Sequence, residues 1–221
     1  MSGADLTQVD FTQSNLQQAT LFGASLQQAI LTVATLTAAD LTEADLRAAD
    51  FRNANLQSAD LSGADLRRSL LNQANLTQAD LTGADLRQAH LFGADLTAAL
   101  LQIAQLEGTL YDLATRFSDG FDPADFGALL IAPHTNLKGK DLSEAKLVGV
   151  DLSHANLSHS HLWNADLWGA NLSYADLTGA NLTQANLWGA NLTGAVLEDA
   201  ELTDANLQEA NLTDTVLDAK L

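Results

Sequence analysis

The chain has 221 residues, 47% of them hydrophobic, and its 28 acidic against 10 basic side chains give a formal net charge of −18. That is enough for one large domain, and its sign argues against direct nucleic-acid binding through phosphate contacts. The absence of cysteine excludes disulfides, thiolate nucleophiles and Cys-ligated metals.

No stretch approaches the roughly 20 apolar residues of a membrane helix, and "MSGADLTQVDF" has neither the basic region nor the apolar run of a secretory signal. The expected location is cytoplasmic, with no membrane association.

The first element is a run of five-residue units. Leu or Phe stands at every fifth position from Leu6 to Leu106, 21 units in all, with Phe11 and Phe51 the two departures from Leu. A helix advances such a step by about 140° beyond a full turn and smears the leucines over every face. A straight strand sends successive leucines to opposite faces. Only a chain that bends once per unit keeps every Leu inside. Ala lies two residues before the centre in 18 of these 21 units; Ala and Leu then share one side of a short extended segment, while the Asp or Asn between them points out. The two remaining positions, usually Thr, Gln, Ser, Arg or Gly, form a corner that faces water. If each corner turns about 90°, four units close a coil of 20 residues, and coils stack at about the 4.8 Å spacing of paired strands. Arg47, Arg67 and Arg87 recur at that interval, as do Gly63 and Gly83, and in the second run Asn171, Asn191 and Asn211. A triangular coil of 15 fits less well. Asp45, Asp65 and Asp85 form a column beside the arginine column, which reads as a salt-bridge ladder.

Residues 107–136 interrupt the pattern and hold both prolines, Pro123 and Pro133. The distance from Leu106 to Leu137 is not a multiple of five, so the chain re-enters in a shifted register. Asp122, Pro123 and Asp125 read as N-cap, first-turn proline and acidic third residue, which predicts a short helix from about Pro123 to Leu129. Tyr111, Phe117, Phe121 and Phe126 are expected to pack back on the coils. The segment reads either as a structural joint or as a binding loop.

The second run has 17 centres from Leu137 to Leu217, all Leu, with Ala two before the centre in 12. Trp168 and Trp188 are one coil apart in the same outward position and are expected to stack, with Trp163 on the preceding side. These three are the candidate partner surface. His134, His154, His159 and His161 read as surface residues, with no metal site and no cofactor expected. By segment, residues 1–106 carry 11 acidic and 5 basic side chains, 107–136 carry 5 and 1, and 137–221 carry 12 and 4. A rod of nine to ten coils would be roughly 45 Å long, with one net negative charge per ~2.5 Å against ~1.7 Å for duplex DNA. Glu198, Asp199, Glu201, Asp204, Glu209, Asp214 and Asp218 form the candidate acidic patch. Catalysis is not expected: carboxylates belong to the repeat, no nucleophile elbow, phosphate loop or metalloprotease motif occurs, and a filled Leu/Ala core leaves no cavity.

The tandem A-(D/N)-L-x-x units, typified by "ANLTQADLTGADLRQ" at 74–88, resemble the pentapeptide-repeat family, and "TRFSDGFDP" resembles a spacer of such proteins from photosynthetic bacteria. The resemblance implies an all-β, right-handed quadrilateral β-helix with one short helical insertion, divided as 1–106, 107–136 and 137–221. It implies a non-catalytic scaffold for protein–protein interaction with an unidentified protein partner. Some members of the family bind DNA gyrase in place of DNA, and this chain resembles them in length, acidity and mid-chain interruption, so an acidic DNA mimic is the alternative. It departs from them in its Leu centres, its lack of Cys-containing units, and repeats that run to Leu217 and leave only "DAKL" beyond. An end-to-end homodimer, through a column that includes Val196 and Val216, is a further expectation.

Overall fold

Every Leu-x-x-Ala step closes a hydrogen-bonded turn. In the computed structural model of the chain, which describes residues 1–216, the Ala24 N–H donates to the Leu21 carbonyl at 3.0 Å, and Ala84 to Leu81 and Ala170 to Leu167 do the same at 3.0 Å. The second corner residue has φ near +60° in unit after unit, from Gly3 to Gly108 and from His134 to Asp214. Positive φ at that position alone is the mark of a type II turn. The two corner residues are therefore not equivalent: the first accepts most side chains, whereas the second must sit in the left-handed region that favours Gly, Asn and Asp.

The turns stack because the amides of a unit pair with the coils on either side and, where Asp or Asn stands outward, with its side chain. In the unit centred on Leu61, the Leu61 N–H donates to the Asp80 carbonyl of the following coil at 2.7 Å, Gly63 to Thr82 at 2.9 Å, and Asp65 back to Ala44 of the preceding coil at 2.9 Å. Ala64 closes its own turn on Leu61 at 3.0 Å. The remaining donor, Ser62 N–H, goes to the Asp60 carboxylate Oδ1 at 3.0 Å. All five amides are satisfied, as buried backbone requires. This last bond explains the Asp or Asn of the repeat: its short side chain reaches the amide two residues on, an Asx turn repeated along the solenoid.

Parallel bridges join residues 20 apart, from Asp5 with Ser25 to Asp85 with Gln105, and from Asn136 with Asn156 to Val196 with Val216. Four bridges per coil make the coil four-sided and exclude the triangular one. Leu and Ala fill the interior: Leu21 through Leu96 at the centres are fully buried, as are Phe51 and most of the alanines. Leu fills the middle, and Ala, with no side chain beyond Cβ, lets the backbone close around it.

The chain forms two compact units, Met1–Leu130 and Ile131–Leu221, so their boundary falls inside 107–136. That segment is less irregular than its sequence. Thr109 occupies the place of a core Ala, its hydroxyl donating to the Leu86 carbonyl at 2.7 Å, and Leu110 bridges His90 at the usual interval. Arg116 then bridges Asp95 one residue late. The short strand β1 (Leu110–Tyr111) pairs in parallel with β2 (Leu129–Leu130) at an interval of 19 residues, one short of a coil. Intervals of 21 and then 19 residues replace the 20 of the ladder here, so the register of five is lost within this segment. Asn136 already stands on the ladder of the second unit.

The helix expected from Pro123 to Leu129 is a single 3-10 turn, Pro123–Phe126. Asp122 caps it through the Ala124 amide, Pro123 opens it and Asp125 lies in its first turn, as expected. It stops early because Gly127 takes φ 81° and turns its N–H back to the Ala124 and Pro123 carbonyls. A Cβ on Gly127 would lie 2.0 Å from a Glu107 carboxylate oxygen, so the position admits Gly alone without rearrangement. Tyr111, Phe117 and Phe121 pack on the core of the first unit. They form a chain of ring contacts, at 5.7 Å edge-on and 5.5 Å stacked, that ends on Phe126 at 4.9 Å. Phe126 itself stays exposed.

Candidate interaction surface

The corners carry what the core cannot. In the first unit Arg47, Arg67 and Arg87 each follow an Asp by two residues, and each guanidinium takes its own Asp through both nitrogens: Nε to Oδ1 at 2.8 to 2.9 Å and Nη2 to Oδ2. Arg47 also reaches Asp65 at 3.6 Å and Arg67 reaches Asp85 at 3.5 Å, one coil further. The expected ladder is therefore staggered, with Arg47 and Arg67 each bridging two coils. The Arg47 hydrogen bonds hold the Asp45 carboxyl below the usual carboxylate range. Asp85, which partial burial alone would raise, is lowered on balance by Arg87. Asp5 and Asp10 are lowered by the hydroxyl and then the amide of Thr7 and Thr12. With its guanidinium groups committed to carboxylates, the ladder is a structural seam.

In the second unit the face formed by Lys146, Asp166, Asn186 and Asn206 lies between two corners. Asn186 donates to Asp166 at 2.9 Å and Asn206 to Asn186 at 3.1 Å, while the Lys146 ammonium stands 3.9 Å from Asp166. Trp168 and Trp188 occupy first-corner positions on one edge of this face. Their rings are stacked with centroids 5.6 Å apart at 11°, as expected from their spacing. Trp163 stands on the opposite edge. All three indoles are exposed, at 39%, 46% and 37% for Trp163, Trp168 and Trp188. Gly169 and Gly189 follow the stacked pair, and a Cβ at either would touch nothing within 4 Å, so the shelf beside the rings is open.

The adjoining face carries a groove of about 380 Å³, floored by His161, Asn181 and Glu201 and edged by His159 and Trp163. His159 leans over Gly179, where a Cβ would lie 2.6 Å from its Nδ1. The other histidines are elsewhere: His134 and His154 stack at 4.7 Å, and His154 stacks on Tyr174 at 5.1 Å, all on another corner. Among the described residues no three His, Cys, Asp or Glu side chains converge as a metal would need, and no helix is long and apolar enough to cross a membrane.

The acidic patch takes a different form from the expected one. Asp199, Asp204, Glu209 and Asp214 occupy the second positions of four successive corners, each at positive φ. Glu198 shares the first of these corners and Glu201 lies on the groove face. The carboxylates thus ring the coil instead of gathering on one side. Asp218, the seventh member, lies outside the described residues, as does Leu217. The charge is plain in the sequence, whereas the step of one corner per residue shows only once the coil is closed. The groove likewise shows only then; its signal is that Glu201 follows His161 by two coils.

The family model for pentapeptide repeats matches repeatedly along the chain, over residues 1–37, 29–68, 59–97, 69–108, 134–164, 151–189 and 180–218. The chain belongs to the pentapeptide-repeat family. It is a pentapeptide-repeat scaffold, and the family's right-handed quadrilateral β-helix agrees with the four bridges per coil. Among solved pentapeptide-repeat structures it is similar to HetL from the cyanobacterium Nostoc sp. strain PCC 7120, a protein involved in heterocyst differentiation regulation, at 35% identity over 95% of this chain and 90% of that one, with a TM-score of 0.48. It is also similar to Rfr23 from the cyanobacterium Cyanothece 51142, at 28% identity over 70% and 64%, TM-score 0.29. QnrB1, a plasmid-mediated fluoroquinolone resistance protein, is 19% identical over 89% and 85%, TM-score 0.38. No curated protein matches the chain.

Proposed function

We propose that this pentapeptide-repeat protein is a non-catalytic interaction scaffold whose partner surface is the tryptophan-edged face of the second unit. The observation that carries the reading is the placement of three exposed indoles on the two edges of one face, around a ladder of Lys146, Asp166, Asn186 and Asn206 whose polar groups pair with one another. Exposed aromatic side chains contribute little to a solenoid already closed by its Leu/Ala core, and indoles are the side chains most enriched where protein interfaces concentrate their binding energy. The partner is a protein, and the site lies in the cytoplasm. The filled core leaves the scaffold without a substrate chamber.

The acidic gyrase-binding reading is weaker. Most Asp side chains are held by the amide two residues on, a role that would exist whatever the protein bound, and the 199–214 carboxylates encircle a coil where a duplex mimic needs a stripe along the axis. The test is affinity capture from native lysate with the unaltered protein beside Trp168→Ala/Trp188→Ala, at low and high salt. A protein retained by the first at both salt levels and lost by the second is the expected result. Retention by both would remove the tryptophan surface, and capture that disappears at high salt with inhibition of DNA supercoiling would favour the mimic.

A further inference from the structure

In the groove beside the tryptophan face, two outward positions of one ladder, His161 and Glu201, depart from Asp or Asn. The groove's face should carry Asp or Asn at each outward position, because their Oδ1 reaches the corner amide. Asp141 does so for Ser143 at 3.0 Å and Asn181 for Thr183 at 3.0 Å. His161 has no such oxygen, and Glu201 carries its carboxylate one methylene further out. The corners on either side carry His159 on one and Trp163 on the other, and these four side chains line one groove of about 380 Å³.

We propose that this groove receives an arginine side chain of the partner protein. The proposal rests on the scaffold reading for the existence of a partner, and it adds what that partner must present. Three features of the lining select the occupant. A planar guanidinium stacks on an indole, which Trp163 offers at the groove edge. The same fork pairs with a carboxylate, which Glu201 supplies. Ring nitrogens of His159 and His161, and the Asn181 amide oxygen, offer acceptors to the remaining donors. The surroundings favour a cation: Glu198, Asp199 and Asp204 lie in the coil of Glu201, and Lys146, on the neighbouring face, is drawn to Asp166 at 3.9 Å. The net charge of −18 draws a basic segment toward the molecule from any direction, while the groove decides where one side chain lands. Lysine fits less well, since a compact ammonium cannot stack its charge flat on the ring and pair sideways at once.

The chain has three tryptophans, so the variant Trp168→Phe/Trp188→Phe leaves Trp163 as the single indole reporter. Titrating it with the peptide acetyl-Gly-Arg-Gly-amide should shift Trp163 emission with saturation, and Glu201→Gln in the same background should weaken binding about fivefold with an unchanged melting curve. The isosteric citrulline peptide, which lacks the charge, should not saturate. Equal binding of the citrulline peptide, preferential binding of a glutamate peptide to the imidazoles, or no saturable change with arginine would each overturn the assignment. The titration uses no partner, so its outcome is independent of the lysate capture: loss of the tryptophan surface there would leave a peptide-binding groove, and failure here would leave the scaffold reading intact.

Discussion

At the scale of the residue, the backbone asks one thing of the second corner position, a left-handed φ, and the side chains answer unevenly. All 14 glycines of the chain lie at positive φ, where they carry no Cβ penalty. Val33 and Ile103 occupy the same conformation at φ 59° and 53°, where a β-branched side chain is strained by about 1–2 kcal/mol. Val33 is half exposed, so its side chain recovers little of that cost through burial. Val33→Asn should therefore raise stability by roughly 0.5–1 kcal/mol, seen as a higher melting temperature, because Asn tolerates the left-handed region through local hydrogen bonding. An unchanged or lower melting temperature would mean that Val33 packs better in this position than its exposure implies. The requirement was only half legible in the sequence. The recurrence of Gly at 63 and 83 could be read as an interval, yet the many Gln residues, with Ala, Glu and His, at equivalent positions disguise the shared φ, since type II geometry is a property of the backbone that side-chain identity reports weakly.

At the scale of the unit, the period of five was almost wholly legible: an inward Leu, an inward Ala and an outward Asp or Asn follow from geometry once the chain bends every five residues. Less visible was why the outward residue is Asp or Asn and not any polar side chain. The Asx bond supplies the reason and separates charge from structure. Asp40, Asp60 and Asp80 stand one above another as bridge partners, so like charges repel at strand spacing, while Asp60 Oδ1 accepts from both the Ser62 amide at 3.0 Å and its hydroxyl at 2.6 Å. Asp60→Asn keeps that oxygen and removes the charge; Asp60→Ala removes both. Thermal melts should show the Asn variant equal to or above the unaltered protein and the Ala variant below it by about 0.5–1.5 kcal/mol, the usual worth of such a cap. If the two variants fell together, the carboxylate charge and not its acceptor geometry would be what the repeat selects. The helix near Pro123 was legible at its start, where Asp122 and Pro123 announce it. Its expected end at Leu129 lies three residues too late, because Gly127 stops the turn after Phe126.

At the scale of the whole molecule, the charge is distributed over both units: 16 acidic against 6 basic residues in Met1–Leu130 and 12 against 4 in Ile131–Leu221. The interaction surface was partly legible, since the spacing of Trp168 and Trp188 placed them on one corner. The groove was not, because His161 and Glu201 meet only after the chain has travelled two coils. Two electrostatic effects of opposite sign compete across the fold. Ion pairs such as the arginine ladder weaken with salt, but their guanidinium side chains are 40–44% exposed, which limits their worth. Repulsion among the carboxylates, on columns without arginine and around the 199–214 coil, also weakens with salt, and it acts over the whole surface. Raising sodium chloride from about 0.1 M to about 1 M shortens the screening length from about 10 Å to about 3 Å, less than one coil spacing. Since a net charge of −18 leaves most carboxylates without a cationic partner, relief of repulsion should win, and the melting temperature should rise by a few degrees over that range. The same titration on Arg47→Gln/Arg67→Gln/Arg87→Gln should start lower and rise more steeply, since it adds bare carboxylates to the column of Asp45, Asp65 and Asp85. A melting temperature that fell with salt in the unaltered protein would show that the staggered ladder outweighs the repulsion of the remaining acidic side chains.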